Sequence, residues 1–537
     1  MFKLTPESLD FALQHLMASG DTDVLPMAFE FEAIRFRWDS VREYLCRLDL
    51  DSYASRADLR CLTPKGRNGF RIVTELDPYD TLILTALVHD LGPSIEDVRS
   101  GPAAVVSYRF DPDEGGRLYD ESLNHRAFVE RSVELAESHP WVVMTDIADF
   151  FPRIYSHRLE NMLDHAESDA FLTTPSAGVA RALKKLLKSW NQNISRGIPV
   201  GPSATRILAD LAITNVDRAL TTSGIRYVRY SDDFRLYAQS EREAYRMLAF
   251  LAEQLDVTQG LTLQAAKTYV LSAIDFISRF GETAEGQLEA ALTARIDSVR
   301  SVIGAGDYDL VSMRTLTAAE ESELRRLQLF QILEAILASA ETAEVDQVKV
   351  IVDAIATLAL PDEQGLLIDG AERFPSLFRH FINAWGRQAR LGSPTDFRRL
   401  RLGGERLLAL LDTSNFGHLP YHRAWVLEQT TRTPFICDSS AVARATNGYS
   451  DELTTRYAAM AMWAQQEYSW FQSRRNQFNS MPPWIRRAFL VGTTCLPGDE
   501  ASHFHRAVGP SLDHLENVVP DWAKTNEPNT WRRSLAS

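Results

Sequence analysis

Three aspartates stand at the ends of predicted strands, where packing gives no reason for a charged side chain. A strand predicted within the apolar run 141–147 ends near Asp146, and Asp232 and Asp233 form the tip of a hairpin predicted over 227–238. Burying a carboxylate without a partner is costly, whereas Mg²⁺ prefers carboxylate oxygens and often binds substrate phosphates as well. Two such ions, roughly 3.5–4 Å apart, stabilise both oxygens of an in-line phosphoryl displacement. The pattern indicates a phosphoryl-transfer site; the alternative is that the adjacent acids simply cap a surface turn.

A loop rich in glycine and proline lies between the two acidic sites. It runs over 197–202 (GIPVGP) and leads into a helix predicted to begin near Ser203. Glycine lets backbone approach a substrate closely, and a helix N-terminus favours anions. Such loops are common before helices, so this feature gains meaning only from the acids on either side.

Short strands and helices must position these residues. A Gly/Asn-rich turn beside β-branched residues predicts a hairpin over 63–73. Asp77 and Pro78 are typical of the N-cap and first residue of a helix, predicted to reach Leu91. Residues 1–60 show the three- and four-residue apolar spacing of helices.

The pattern changes after about residue 285, where strand signals almost vanish. Helical segments separated by short Pro/Gly/Asp breaks follow, among them 319–341, 346–360 and 400–412. Stacked helical pairs are expected, although no clean repeat consensus is present. The segment 280–286 is the candidate boundary between the two parts.

Composition narrows the class of protein. The chain has 537 residues, and its 72 acidic against 57 basic residues give a net charge of −15, which excludes a general basic nucleic-acid coat but leaves room for a local basic groove. Four distant cysteines without a CxxC pair argue against a zinc ribbon or a disulfide scaffold. No apolar run approaches the roughly 18 residues of a membrane span, and no signal peptide is evident. We expect a soluble cytoplasmic protein without a membrane partner.

Together and in this order, the segments resemble the fingers and palm of a reverse transcriptase. The resemblance covers about residues 60–280: a fingers segment (64–80), motif A (TDIADFFPRI, 145–154), motif B (GIPVGPSATRILADL, 197–211), motif C (YSDD, 230–233), motif D (LTLQAAKT, 261–268) and motif E (IDFI, 274–277). Within that family the chain is most similar to the bacterial abortive-infection and other defence-associated enzymes, on the segments 77–92, 107–110, 149–160 and PVGP (199–202) in place of PQG.

The resemblance implies an α+β fold: reverse-transcriptase fingers and palm in residues 1–284, then an all-α, helical-repeat-like (HEAT-like) domain in 285–537. It implies DNA synthesis from dNTPs with Mg²⁺ or Mn²⁺ in antiphage abortive infection, in some relatives untemplated and primed on the protein, so that the DNA product stays covalently attached. Two alternatives remain: copying of a partner noncoding RNA, and an inactive palm kept as an oligomeric binding scaffold. A homo-oligomer is expected.

The resemblance also implies roles for single residues. The metal ligands are Asp146, Asp232, Asp233 and the backbone carbonyl of Ile147. Lys65 and Arg71 would clamp the triphosphate, and Lys267 would neutralise or protonate the leaving pyrophosphate. The nucleotide would lie against Pro199, Val200 and Gly201, and its sugar against Phe151, which would exclude a 2′-hydroxyl, while Phe150 belongs to the core. Val200 and Thr205 depart from the glutamine and serine of many relatives. The loss of the amide at Val200, which would contact the incoming nucleotide, puts ordinary faithful template copying in doubt.

One predicted helix carries a basic stripe. Its members share one helical face or follow it closely: Arg181, Lys184, Lys185, Lys188 and Arg196. Such a stripe can follow a nucleic-acid backbone. The alternative is a solvated face opposite the buried side of Leu183, Leu186 and Leu187.

Overall fold

A computed structural model of the protein describes residues 2–281 and 321–526, except 23, 67–68, 100, 102, 121, 170–177, 193, 323–324, 326, 339–344, 363–364 and 392–395. Most of the candidate boundary at 280–286 lies outside the described residues. The division into 1–284 and 285–537 therefore stays a prediction.

The N-terminal part contains the predicted helices and hairpin. Its elements are α1 (Pro6–Ser19), α2 (Glu30–Phe36), α3 (Trp38–Arg47), β1 (Leu59–Lys65), β2 (Gly69–Glu75) and α4 (Pro78–Val98). Strands β1 and β2 pair antiparallel up to Lys65 and Gly69. Asp77 is the N-cap of α4, as predicted, and its side chain accepts from the N–H of Tyr79.

Helix α4 continues beyond its predicted end at Leu91, although Pro93 lies inside it. Proline removes one helical hydrogen bond. Here the continuing apolar face outweighs that cost, since Ile95 and Val98 are buried after it. Gly92 is required by close packing, because a Cβ there would lie 2.4 Å from the ring of Phe110.

The central part surrounds a four-stranded antiparallel sheet in the order β4-β5-β3-β6. Its elements are α5 (His125–Ala136), β3 (Trp141–Asp146), α6 (Phe150–Arg153), α7 (Ser156–Asp169), α8 (Val179–Trp190), α9 (Ala204–Ala212), α10 (Thr214–Thr222), β4 (Arg226–Tyr230), β5 (Asp233–Ala238), α11 (Glu241–Gln259), β6 (Tyr269–Ser272) and α12 (Ala273–Gly281). The predicted strand ending at Asp146 and the hairpin around Ser231 are confirmed. The segment 274–277, compared with motif E, lies in α12.

Helices cover this sheet and supply its core. Helix α11 packs against β3 and β5, and α5 packs against β4 and β5. Strands β3 and β5 contribute buried residues such as Val142, Val143, Phe234 and Leu236. Their β-branched and aromatic content suits strands buried on both faces.

Beyond residue 281 the described residues form helices and no strand. They are α13 (Leu329–Ala338), α14 (Val345–Leu358), α15 (Leu366–Arg373), α16 (Phe378–Leu391), α17 (Phe397–Thr413), α18 (Pro420–Arg432), α19 (Ser439–Thr446), α20 (Glu452–Ala464), α21 (Tyr468–Arg474), α22 (Pro483–Gly492), α23 (Gly498–Val508) and α24 (His514–Thr525). We call α13–α24 the helical segment. Its helical character was predicted; its repeat-like organisation stays a prediction.

The helical segment packs on the N-terminal elements. Helix α24 lies against α2, and α18 lies against β1. Indole N–H groups reach across: Trp425 donates to the carbonyl of Val24 at 2.9 Å, and Trp484 to that of Ala57 at 2.8 Å. In the described part of the chain, every helix is too short or too polar to cross a bilayer.

Candidate functional site

The turn between β4 and β5 brings the three predicted aspartates to one end of the sheet. Asp146, the last residue of β3, is directly opposite Asp233 in the antiparallel register. The N–H of Ile147 donates to the carbonyl of Asp232 at 3.0 Å, which joins the turn to β3. Ser231 adopts a left-handed conformation with φ 53°, which is costly for a residue with a side chain. The turn is therefore held in shape by its surroundings.

The acids repel one another. Removal from water raises the pKa of Asp232 to about 7, and the charges of Asp146 and Asp233 add to this rise, while Lys65 opposes it. The pKa of Asp233 is also raised, mainly by burial, despite the neighbouring Arg235. Clustered carboxylates with raised pKa values favour the arrival of a cation.

Two cations of the chain already contact the acids. Lys267 Nζ lies 2.6 Å from Oδ2 of Asp146. Partial burial lowers the pKa of Lys267, but the hydrogen bond and charge of Asp146 outweigh it, so the net shift is upward and Lys267 stays protonated. Arg235 binds both oxygens of Asp233, which commits this carboxylate to a partner within its own strand.

Arg229 of β4 stabilises the β4–β5 turn, a role that was not predicted from the sequence. Its fully buried guanidinium donates to the carbonyl of Ser231 at 2.9 Å. It also donates to Asp210 of α9 at 2.8 Å and to Asp217 of α10 at 2.6 Å. An arginine and two aspartates at otherwise apolar positions were the available signal, since buried charges require partners.

The loop 197–202 is hydrogen-bonded on both sides. The N–H of Ile198 donates to the carbonyl of Phe151 at 3.1 Å, and the N–H of Thr74 in β2 donates to the carbonyl of Val200 at 3.0 Å. Gly201 has φ 136°, and a Cβ there would lie 3.3 Å from the carbonyl oxygen of Thr74. The loop thus connects α6, the short helix after β3, with the β1–β2 hairpin.

The two adjacent phenylalanines differ in burial. Phe150 is buried in the core, and Phe151 is half-buried. The part of Phe151 that the core does not cover is available to a ligand. Its contact with a nucleotide sugar stays a prediction.

The basic residues of the β1–β2 hairpin lie in different places. Lys65 is exposed at the end of β1, close enough to lower the pKa of Asp232. The charge of Arg71 acts instead on Tyr421 of α18, whose pKa burial raises to about 12. The charge of Lys65 therefore acts on the acids, whereas that of Arg71 acts on the helical segment.

Three of the five residues of the basic stripe form contacts with other parts of the chain. Arg181 pairs with Asp51 at 3.0 Å and Lys184 with Asp164 at 2.6 Å. Lys185 donates to three backbone carbonyls, that of Tyr53 at 2.6 Å. Lys188 and Arg196 are exposed. For the first three residues these contacts favour the structural alternative over nucleic-acid binding.

The donor set fits Mg²⁺. Within the described residues, no three His, Cys, Asp or Glu side chains form a metal site on their own. Mg²⁺ commonly needs fewer, since it keeps several waters and takes one or two carboxylates with substrate phosphates. Asp146 and Asp232 meet this requirement better than Asp233. The carbonyl of Ile147 adds a donor, because the flanking backbone hydrogen bonds use the carbonyls of Asp146 and Thr262.

Comparisons with known proteins leave the family open. No family model and no curated protein matches the chain. One similar solved structure is telomerase from Candida albicans in complex with the TWJ fragment of telomeric RNA. It is 10% identical with a TM-score of 0.30, over 74% of this chain and 72% of that chain. A likeness at this level carries no argument about the site.

Proposed function

We propose that this protein is a nucleotidyltransferase that synthesises DNA from dNTPs, with the four-stranded sheet as its palm and the β1–β2 hairpin as its fingers. The observation that carries the proposal is the placement of Asp146, the last residue of β3, beside Asp232 in the adjoining β4–β5 turn. The positive charges of Lys267 and Lys65 oppose those of the two acids, and the loop 197–202 is hydrogen-bonded to α6, which follows β3.

Asp146, Asp232 and the Ile147 carbonyl would hold Mg²⁺ or Mn²⁺, which when bound neutralises the charge of phosphate oxygens during transfer. The other functions belong to the chain itself. Lys267 Nζ, protonated beside Asp146, would neutralise a leaving pyrophosphate or give it a proton. Lys65, whose charge lowers the pKa of Asp232, would bind the triphosphate.

The loop and Phe151 would position the nucleotide. Val200 and Gly201 are fixed against Thr74, so their backbone can form one wall of the nucleotide site. Phe151 would form another wall under the sugar. An apolar ring offers a 2′-hydroxyl no hydrogen bond, which disfavours ribonucleotides.

The biological setting of the proposal comes from the sequence resemblance. It comprises antiphage defence, a homo-oligomer, and DNA made without a template on a protein primer. Copying of a partner noncoding RNA is the alternative within the same chemistry, and an inactive scaffold is the alternative outside it.

The test is incorporation of labelled dNTPs by the purified full-length protein with Mg²⁺ or Mn²⁺. We expect labelled DNA that migrates with the protein until protease is added. A repetitive product complementary to a co-purifying RNA would favour the templated alternative. If the folded protein incorporates nothing with either metal, the scaffold reading replaces the proposal.

A further inference from the structure

A buried cluster of charges joins the helical segment to the start of α4. Arg487 of α22 contacts Glu30 of α2 at 2.8 Å and Asp77, the N-cap of α4, at 3.0 Å. Arg456 of α20 contacts the other oxygen of Glu30 at 2.5 Å. All four side chains are at most 1% exposed. The cluster lies outside the candidate site and makes no contact with its acids.

These four residues depend on one another for charge balance. Burial raises the pKa of Glu30, but the charges of Arg456 and Arg487 outweigh this and lower it overall, so Glu30 is ionised. Removing one member of such a cluster leaves an uncompensated buried charge. Buried ion pairs therefore connect the helical segment to Glu30 and Asp77.

A short path leads from Asp77 to the loop 197–202. Asp77 follows β2 after a single intervening residue, and Arg56 also contacts it, at 2.8 Å. Three positions before Asp77, the N–H of Thr74 donates to the carbonyl of Val200. Gly201, the next residue of the loop, also lies close to β2, since a Cβ there would lie 3.3 Å from the Thr74 carbonyl oxygen.

We propose that Glu30, Asp77, Arg456 and Arg487 form a clamp through which the helical segment fixes β2 and, by the Thr74–Val200 hydrogen bond, the nucleotide-facing loop 197–202. Asp77 and Arg487 are then positioning residues, which act on the nucleotide through the loop. The role of the loop rests on the proposed function; the mechanical connection does not.

The test compares Asp77→Asn with Asp438→Asn in the full chain. Asparagine retains the oxygen that caps α4, removes the charge that Arg487 and Arg56 contact, and replaces the oxygen facing Arg487 by an amide N–H donor. Asp438 is the matched control: it is the N-cap of α19 and contacts Arg401 at 3.3 Å, but it is exposed and belongs to a different part of the fold. Both proteins are first checked for folding by circular dichroism.

Two readouts are measured. The first is hydrogen exchange of peptides spanning 70–76 and 197–202, which we expect to be about tenfold faster in Asp77→Asn and unchanged in Asp438→Asn. The second is steady-state dNTP incorporation, for which we expect KM to rise about fivefold while kcat stays within about twofold. A purely structural contact would instead lower the amount of folded protein without this split.

Folded Asp77→Asn with unchanged exchange in both peptides would overturn the clamp, and so would faster exchange spread evenly over the chain. If Asp77→Asn does not fold, Arg487→Lys is used, since it keeps the buried charge but loses the second contact. Faster exchange in the same two peptides supports the clamp, and unchanged exchange overturns it. If the wild type incorporates no nucleotide, the proposed function fails while the exchange readout still decides the clamp.

Discussion

Arg229 Nη1 donates a 2.9 Å hydrogen bond to the carbonyl of Ser231, the residue whose left-handed backbone places Asp232 at the tip of its hairpin. The same guanidinium contacts Asp210 and Asp217, so two helices and the turn share one buried cation. A strained turn persists only when its surroundings determine it. The contacts of Arg229 therefore help to hold the proposed catalytic turn in this conformation.

Two replacements of Arg229 should distinguish its effect on activity from its effect on stability. Arg229→Lys keeps a charge for Asp210 and Asp217 but cannot make all of the contacts of a guanidinium. We expect a folded protein whose dNTP incorporation falls about 100-fold, because small displacements of reacting groups have effects of this size. Arg229→Met should also lower the free energy of unfolding, by about 3–5 kcal/mol. Urea unfolding and initial incorporation rates measure both.

Arg226→Lys is the control for this pair, since Arg226 lies exposed in the same strand. It should change neither quantity. Incorporation by Arg229→Lys equal to that of the wild type would show that the turn keeps its shape without the Ser231 contact.

Removing one of the two central acids should abolish synthesis without unfolding the protein. Asp232→Asn and Asp146→Asn each remove a carboxylate proposed to hold the metal, so incorporation should fall by several orders of magnitude. Loss of one acid relieves repulsion in the cluster, and the thermal midpoint should not fall. Asp164→Asn, which affects an exposed partner of Lys184, should be fully active. Retained incorporation by Asp232→Asn would remove the palm assignment.

Local signals in the sequence were sufficient for the elements that carry the acids. The strand ending at Asp146 follows from a short β-branched run, and the hairpin at Asp232 follows from alternation around a polar turn. The N-cap at Asp77 needed only its neighbour Pro78. Each of these features depends on residues within one element, which is why the sequence contains them.

Contacts between distant segments were not predictable in the same way. The resemblance placed Lys267 in the site with the acids, but no local signal indicated its ion pair with Asp146 across 121 positions or that of Arg181 with Asp51 across 130. The basic stripe looked available for nucleic acid because the partners of Arg181 and Lys185 lie at least 130 positions away in the sequence. Arg487 and Asp77 are 410 positions apart, so nothing in either local sequence indicated a clamp.

The sugar preference should depend on Phe151 and not on Phe150. Phe151→Ala opens the half-buried position and should lower the ratio of dATP to ATP incorporation. Phe150→Ala leaves a cavity in the core and should instead lower the free energy of unfolding, by about 3–5 kcal/mol. Incorporation efficiencies for the two nucleotides and urea unfolding test the pair. An unchanged ratio in Phe151→Ala would refute the gate, and a wild-type preference for ATP would indicate an RNA-making enzyme.

The helical segment should be indispensable. A chain ending at residue 284 would lack Arg456 and Arg487 and leave Glu30 without these cations. It would also expose the apolar surface of α2 that α24 covers. We expect this chain to be aggregated or inactive, as judged by gel filtration and dNTP incorporation. A soluble, monomeric and fully active product would show that the helices are a separable addition.

Glu75 should make stability depend on pH. It is fully buried, neither carboxylate oxygen has a hydrogen-bond partner among the described residues, and its closest cation is Arg456 at 3.6 Å. Burial, with the charges of Asp21 and Glu30, raises its pKa from 4.5 to about 8 against the effect of Arg456. Between these values the folded protein keeps a proton that the unfolded chain has released, so stability falls as pH rises through this window.

Glu75→Gln removes this proton and should flatten the profile. Each pKa unit corresponds to about 1.4 kcal/mol of unfolding free energy. Counting half of the shift in the pKa of Glu75, we expect the wild type to lose about 2 kcal/mol of stability relative to Glu75→Gln between pH 5 and 8.5. Urea unfolding at several pH values measures the difference. Glu130→Gln, on the exposed face of α5, should follow the wild type at every pH. Parallel profiles for the wild type and Glu75→Gln would mean that Glu75 is ionised in the folded protein at neutral pH, with Arg456 as an effective partner.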